Sequence, residues 1–333
     1  MQFEKNKFNI KETWRIINNA LNRNSNSKRL TQIKVGDRIT TNKETIANHF
    51  NDYFSNIGPT LAKNVPTVEK PFYSFLENKN QCSLFLMPTN SLEIMKIVKG
   101  FKDNRSTGND DVSNHLLKYI IHEIIVPLEH IFNLSLVQGV VPDLMKIAKV
   151  VPIFKKGDPL YACNYRPISL LSSISKVLEK NIYDRTLAFL VSNNILSNSQ
   201  FGFRQKHSTV HAMLNFINHV ASAIDDHCHT LGIFLDLSKA FDTIDYDILL
   251  HKLSHYGIRG KALEWFGSYL RGRKQFVSID GVNSSFQELF YGVPQGSLLG
   301  PLLFILYMND FQNSSKILSF ILFADDSNLF FFT

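Results

Sequence analysis

The stretch Phe320-Ile321-Leu322-Phe323-Ala324-Asp325-Asp326-Ser327-Asn328-Leu329-Phe330-Phe331-Phe332 sets two adjacent acids inside one of the most apolar segments of a 333-residue chain. Burying even one unpaired carboxylate costs several kcal/mol, so two in a row need an outlet to solvent or to cations. Residues 317–323 form an apolar run of strand length and 329–332 a second one, with Ala324-Asp325-Asp326-Ser327 as a short polar break between them. This pattern predicts a β-hairpin whose acids sit at the tip, facing a cleft and held rigid by the strands behind it.

A second element of this kind lies upstream, in Leu231-Gly232-Ile233-Phe234-Leu235-Asp236-Leu237-Ser238-Lys239-Ala240-Phe241-Asp242. Its five apolar-leaning residues predict a buried strand, and Asp236 stands where that strand gives way to a turn. Strand ends beside a cleft suit catalytic side chains, because the scaffold fixes them while the end stays open. A lone Asp there is often only a helix cap. Together with the hairpin, however, it would bring Asp236, Asp325 and Asp326 around one point. Three converging carboxylates repel one another unless cations lie between them, and hard oxygen ligands suit Mg²⁺. Two such ions about 4 Å apart would stabilise the attacking and leaving oxygens of an in-line phosphoryl displacement.

The segments around these acids read as the walls of a substrate cleft. Tyr291-Gly292-Val293-Pro294-Gln295-Gly296-Ser297-Leu298-Leu299-Gly300-Pro301 is a glycine-rich turn opening an apolar helix over 302–308. Gly292 and Gly296 let the backbone approach a ligand, and Gln295 offers a donor and an acceptor beside it. Residues 148–154 read as a strand leading into the basic turn Lys155-Lys156-Gly157-Asp158-Pro159. In Asn164-Tyr165-Arg166-Pro167 the proline keeps Arg166 on extended backbone. A guanidinium there, close to a Lys-Lys turn, is a candidate phosphate clamp, with an ordinary surface ion pair as the plain alternative. Residues 200–209, Gln200-Phe201-Gly202-Phe203-Arg204-Gln205-Lys206-His207-Ser208-Thr209, make a second basic and aromatic loop of the type that lies along a nucleic-acid backbone. Helical periodicity is expected over 91–101, 115–138, 174–190 and 210–224, the first opened by the Asn90-Ser91-Leu92-Glu93 cap.

Bulk composition narrows the setting. The chain is 44% hydrophobic and 12% aromatic, enough for one or two packed domains. Cys82, Cys163 and Cys228 are far apart with no C-x-x-C pair, so neither a disulfide framework nor a zinc knuckle is written, and a reducing, intracellular setting is expected. His227-Cys228-His229 has no second pair at ligand spacing and reads as a polar loop. The charged N-terminus argues against a signal peptide, and no uncharged apolar run of about 18 residues offers a membrane span. The formal charge of +7 is concentrated in residues 1–50, which hold ten Lys/Arg against four Asp/Glu. That head reads as a partly helical basic arm with polyanion affinity or as a merely solvated leader, and 51–88, punctuated by Pro59, Pro66, Pro71 and Pro88, as a connector with short helical pieces.

The ordered strings Lys155–Asp158, Asn164–Ser169, Gln200–Arg204, Phe234–Asp242, Gly292–Ser297 and Phe323–Asp326 together resemble the reverse transcriptase of jockey-like non-LTR retrotransposons, over about residues 90–333. The resemblance implies an α+β right-hand polymerase, with fingers and palm, an antiparallel palm sheet flanked by helices, and no thumb, since the chain reaches only Thr333. It implies an arm and connector over 1–88, fingers and palm over 89–333, and core motifs over about 148–333. It implies copying of an RNA template into DNA by adding dNTPs to a DNA primer, within the nucleus or cytoplasm and away from membranes, and it leaves the oligomeric state open. Asp236, Asp325 and Asp326 would then hold two Mg²⁺ ions, with Mn²⁺ as a stand-in and the Leu237 carbonyl as a further ligand. Phe241 would exclude the 2′-hydroxyl, Arg166 with Lys155 or Lys156 would hold the triphosphate, and Gln295 with Gly296 would line the nucleotide pocket. Arg204, Arg271, Arg273 and Lys274 would touch template or primer. Two departures stand out: Phe323 where Tyr is usual, and Asn109 in Gly108-Asn109-Asp110 where Pro is common. A catalytically silent nucleic-acid-binding remnant and an unrelated Mg²⁺ phosphohydrolase are the alternatives from other classes.

Overall fold

Capping residues decide where most helices start. The computed structural model describes residues 30–66 and 68–332, together with Thr13, Ile16 and Ile17, so most of the basic head lies outside the described residues. A short antiparallel pair, β1 (Ile33–Val35) and β2 (Arg38–Thr40), precedes α1 (Lys43–Lys63), which is capped by Asn42 accepting from the Thr45 N–H. Helix α2 (Ser91–Gly100) begins at the expected Asn90 cap. The 25-residue α3 (Asn114–Gln138) ends on Gly139 in the left-handed conformation.

Strands β3 (Ile147–Phe154) and β4 (Tyr165–Leu171) flank the basic turn, and α4 (Ser173–Ser192) and α5 (Thr209–Asp225) follow. Next come β5 (Thr230–Asp236), α6 (Tyr246–His255) and α7 (Lys261–Leu270). Strands β6 (Arg273–Ile279), β7 (Val282–Asn283) and β8 (Gln287–Leu289) lead to α8 (Leu299–Tyr307) and to the hairpin β9 (Ser319–Phe323) and β10 (Asp326–Phe332). The expected order and the α+β class both hold.

Two sheets carry the site. The first is antiparallel with order β5-β10-β9; the second runs β4-β3-β6-β7 with β8 also on β6, and its β3–β6 pair is parallel. The main core gathers apolar faces of α2, α3, α4, α6, α7 and α8, including Phe132, Trp265, Phe266 and Phe304. By length and composition alone α3 could cross a membrane, but Leu117, Ile121, Phe132 and Leu136 of it are buried in this core. A second core joins β1 and α1 to β3, β4 and β6 through Ile33, Phe50, Phe54, Val150 and Tyr165.

Two expectations change here. Residues 51–63 are not connector: they belong to α1, whose Phe50, Phe54 and Ile57 are buried, and Pro59 is tolerated near its end. Strand β5 is not buried. It is an edge strand, paired on one side only by β10, and every residue of it is exposed. Composition foretold the strand but not its place at the rim of the sheet.

Candidate active site

The hairpin tip is tighter than its four-residue polar break suggests. Phe323 pairs directly with Asp326, so only Ala324 and Asp325 form the turn, with Ala324 at a φ of 56°. Positive φ at the first of two central residues matches the twist of a hairpin but is strained for alanine. A neighbouring loop supports that strain. Buried Gln200 accepts the Ala324 N–H through Oε1 at 2.9 Å and the Gly202 N–H through the same atom at 2.8 Å. The Phe201 N–H donates to the Leu322 carbonyl, and the Leu322 N–H to the Ser199 carbonyl, both at 2.8 Å. A Cβ on Gly202 would stand 2.2 Å from the Ala324 nitrogen, so only glycine allows this approach.

Asp326 is the register partner of Asp236 on β5, which brings the two acid-bearing strand ends side by side. The three carboxylates do not share one space. Asp236 and Asp325 line a cavity of about 360 Å³, whereas Asp236 and Asp326 line a second concavity with Thr209, Phe234 and Asn328. Among the described residues no three His, Cys, Asp or Glu side chains lie close enough together to hold a metal ion. Two carboxylates beside the Leu237 backbone nonetheless offer the hard oxygen donors that a divalent cation takes.

The first cavity also collects the basic residues. Lys155 and Lys156 of the turn after β3, Arg166 of β4 and Lys239 after β5 all line it. Arg166 is exposed on extended backbone, as the following proline dictates. Phe241 lines the same space, stacked on Phe304 of the core (centroids 4.8 Å apart, planes at 15°) and met edge-on by Phe203 at 5.9 Å. Its ring is therefore fixed from behind. Gln295 completes the wall, and its loop is stitched to β4 by the Ser169 N–H donating to the Gln295 carbonyl at 2.9 Å. Gly296, at a φ of 138°, passes so near β4 that a Cβ would lie 2.3 Å from the Ser169 oxygen.

Two of the four residues assigned to nucleic acid face inward. Arg204 turns back on its own loop, donating to the carbonyls of Ser197 and Gln200, and burial lowers its pKa. It braces the loop that clamps the hairpin. Arg273 is 1% exposed: it lies over the Tyr269 ring and donates to the Tyr269 carbonyl. A guanidinium so enclosed cannot reach a nucleic-acid backbone. Arg271 is exposed and bonded to Asp247, and Lys274 is exposed on β6.

Sequence reasoning assigned no role to Gln200 or Asp242. Both stand inside quoted strings, but what distinguishes them is contact with residues 53 to 124 positions away, which no local pattern reveals.

The family model described as "Reverse transcriptase (RNA-dependent DNA polymerase)" covers residues 153–333. The chain belongs to the reverse transcriptase family. Its kinship with the jockey-like reverse transcriptases, read from the motifs, holds. It is 36% identical over 242 residues to the "Probable RNA-directed DNA polymerase from transposon BS" of Drosophila melanogaster, covering 71% of this chain and 26% of that protein. It is 31% identical over 243 residues to the "RNA-directed DNA polymerase from mobile element jockey" of Drosophila funebris, covering 73% of this chain and 26% of that one. The "Probable RNA-directed DNA polymerase from transposon X-element" of Drosophila melanogaster matches at 32% over 239 residues, 69% of this chain and 25% of that one. The chain thus spans about a quarter of the length of these curated relatives, and the residues matched by the family model include every residue that lines the first cavity.

Proposed function

We propose that this chain carries the fingers and palm of an RNA-directed DNA polymerase, adding dNTPs to a primer 3′-hydroxyl on an RNA template during retrotransposition. The observation that carries the reading is one cavity lined by Asp236 and Asp325 together with Lys155, Lys156 and Arg166, its wall formed by a braced Phe241. Fingers and palm occupy 89–333 with their core motifs in 148–333; residues before 89 form the arm, of which α1 packs onto the polymerase body. Its setting is intracellular, in nucleus or cytoplasm.

Asp236, Asp325 and the Leu237 carbonyl would hold Mg²⁺, with Asp326 contributing from the neighbouring strand position. Bound there, Mg²⁺ supplies acidity to the primer hydroxyl and neutralises the leaving pyrophosphate. The protein's own residues then position the reactants. Arg166, Lys155 and Lys156 hold the triphosphate, and the hairpin clamp keeps Asp325 at a fixed height relative to it. Phe241 occupies the space a 2′-hydroxyl would need. Arg271 and Lys274 are the basic side chains left to meet template or primer.

Primer extension on an RNA template with Mg²⁺ tests the reading, using this chain with and without the segment that follows the match in a relative. Incorporation supports it. Salt-dependent RNA binding with no incorporation in either form would favour a silent remnant, and phosphate release without primer a phosphohydrolase.

Substrate choice gives a further expected result. Because Phe304 blocks retreat of the Phe241 ring, Phe241→Val should open room at the sugar and reduce discrimination against ribonucleotides by at least about tenfold. Competitive incorporation of dNTP and rNTP checks this; an unchanged ratio would remove Phe241 from the sugar site.

A further inference from the structure

The turn after β5 and the glycine loop before α8 meet at one side-chain contact that the polymerase reading leaves unused. Gln295 Nε2 donates to both carboxylate oxygens of Asp242, at 2.9 and 3.0 Å. An ionised carboxylate only accepts hydrogen bonds, and a carboxamide has one donating and one accepting end. Gln295 therefore has a single orientation open to it, with its NH₂ toward Asp242 and its Oε1 away. No protein donor reaches Oε1 among the described residues, and Gln295 lines the cavity shared by Asp236, Arg166 and Phe241.

The backbone around the pair leaves it little freedom. The Val293 N–H donates to the Phe241 carbonyl and the Gly292 N–H to the Ile244 carbonyl, both at 2.8 Å. The contact thus joins the residue behind the sugar-excluding ring to the residue on the facing wall.

The carboxylate is kept there at a cost. Burial pushes the Asp242 carboxyl up to about 6, against the opposing pull of the Gln295 hydrogen bonds and of Lys239 on the same turn. Among the described residues, Tyr53 of α1 and Tyr291 of the glycine loop are further titratable groups beside it. A carboxyl raised on folding keeps its proton in the folded state after the unfolded chain has lost it, so stability falls as pH rises from the ordinary Asp range toward 6. At neutral pH Asp242 is a charge the fold would be more stable without.

We propose that Asp242 is a positioning residue whose carboxylate fixes the Gln295 carboxamide so that an acceptor oxygen, and not a donor, faces the incoming nucleotide. The inference rests on the polymerase reading of the cavity and adds polarity to it: a nucleotide presenting a hydroxyl or amino donor at Gln295 is favoured over one presenting an acceptor.

Asp242→Asn is nearly isosteric and removes the constraint, because an Asn can meet Gln295 with either end of its own amide. In side-chain amide ¹⁵N spectra the Gln295 NH₂ pair, identified by its loss in Gln295→Ala, should move with Asp242 ionisation in the wild type and stay flat in Asp242→Asn. Calorimetric titration with a deoxynucleoside triphosphate and Mg²⁺ should show affinity weakened about tenfold in Asp242→Asn. The urea midpoint at pH 8 should be equal or higher, which a merely structural role would not give. In a Gln295→Ala background the same substitution should add no further loss. Nucleotide binding unchanged in Asp242→Asn, an additive loss in the double variant, or a wild-type amide pair that does not titrate would each overturn the inference alone. Absence of nucleotide binding by the wild type would overturn the polymerase reading and this inference with it.

Discussion

Asp236→Asn and Asp325→Asn are each expected to lower Mg²⁺-dependent incorporation by at least about 10²-fold while leaving the unfolding midpoint almost unchanged. The two halves of this expectation have separate causes. Activity falls because a neutral amide oxygen is a poor substitute for a carboxylate facing a divalent cation, and the two acids line the same cavity as Lys155, Lys156 and Arg166. Stability holds because Asp236 is exposed at the end of an edge strand and Asp325 is only partly buried in the turn. Surface substitutions of this kind stay within about 0.5 kcal/mol. Asp326→Asn should cost less, since Asp326 opens onto the neighbouring concavity. Primer extension with each variant, alongside a thermal melt, checks the set; near-wild-type incorporation by Asp236→Asn would sink the metal assignment.

Much of this cavity can be read from the chain because its parts are local. A polar break between apolar runs makes a hairpin, a proline after Arg166 extends its backbone, and Asn90 caps a helix; each needs only a few neighbouring residues. The residues misread are those whose meaning comes from afar. Arg204 and Arg273 look like nucleic-acid contacts because basic loops usually are. The first is claimed by carbonyls of its own loop and the second by the ring and the carbonyl of Tyr269. Strand β5 is as apolar as a buried strand, yet it lies at a sheet edge, and edge position depends on which strands pair. Helix α1 was obscured by Pro59, although its buried stripe Ile46, Phe50, Phe54 and Ile57 keeps helical spacing across the supposed boundary.

Arg273→Met is expected to destabilise the fold by about 3–5 kcal/mol at pH 8, the scale for removing one of two buried opposite charges. Its counterpart is Glu179 of α4, 1% exposed, which accepts the Tyr269 O–H at 2.9 Å and, at 2.7 Å, the Leu298 N–H at the start of α8. Three elements, α4, α7 and α8, therefore meet at one carboxylate, and the Arg273 guanidinium of β6 acts on it through charge without bonding to it. Burial pushes the Glu179 carboxyl up, and Arg273 is the largest influence pulling it down. Without the guanidinium the rise becomes larger. A carboxyl raised on folding favours the folded state more as pH falls and less as pH climbs above the ordinary Glu range, so the deficit of Arg273→Met should shrink between pH 8 and pH 5. Glu179→Leu should cost a similar amount for a different reason, stranding the Arg273 charge, the Tyr269 hydroxyl and the Leu298 amide. Combining the two substitutions should cost clearly less than their sum, because each alone leaves a buried charge that the other removes. Urea unfolding of the three variants at both pH values measures this; strictly additive, pH-independent losses would mean that Arg273 and Glu179 stabilise the fold separately and that the glycine loop is not tied to α4 through their charges.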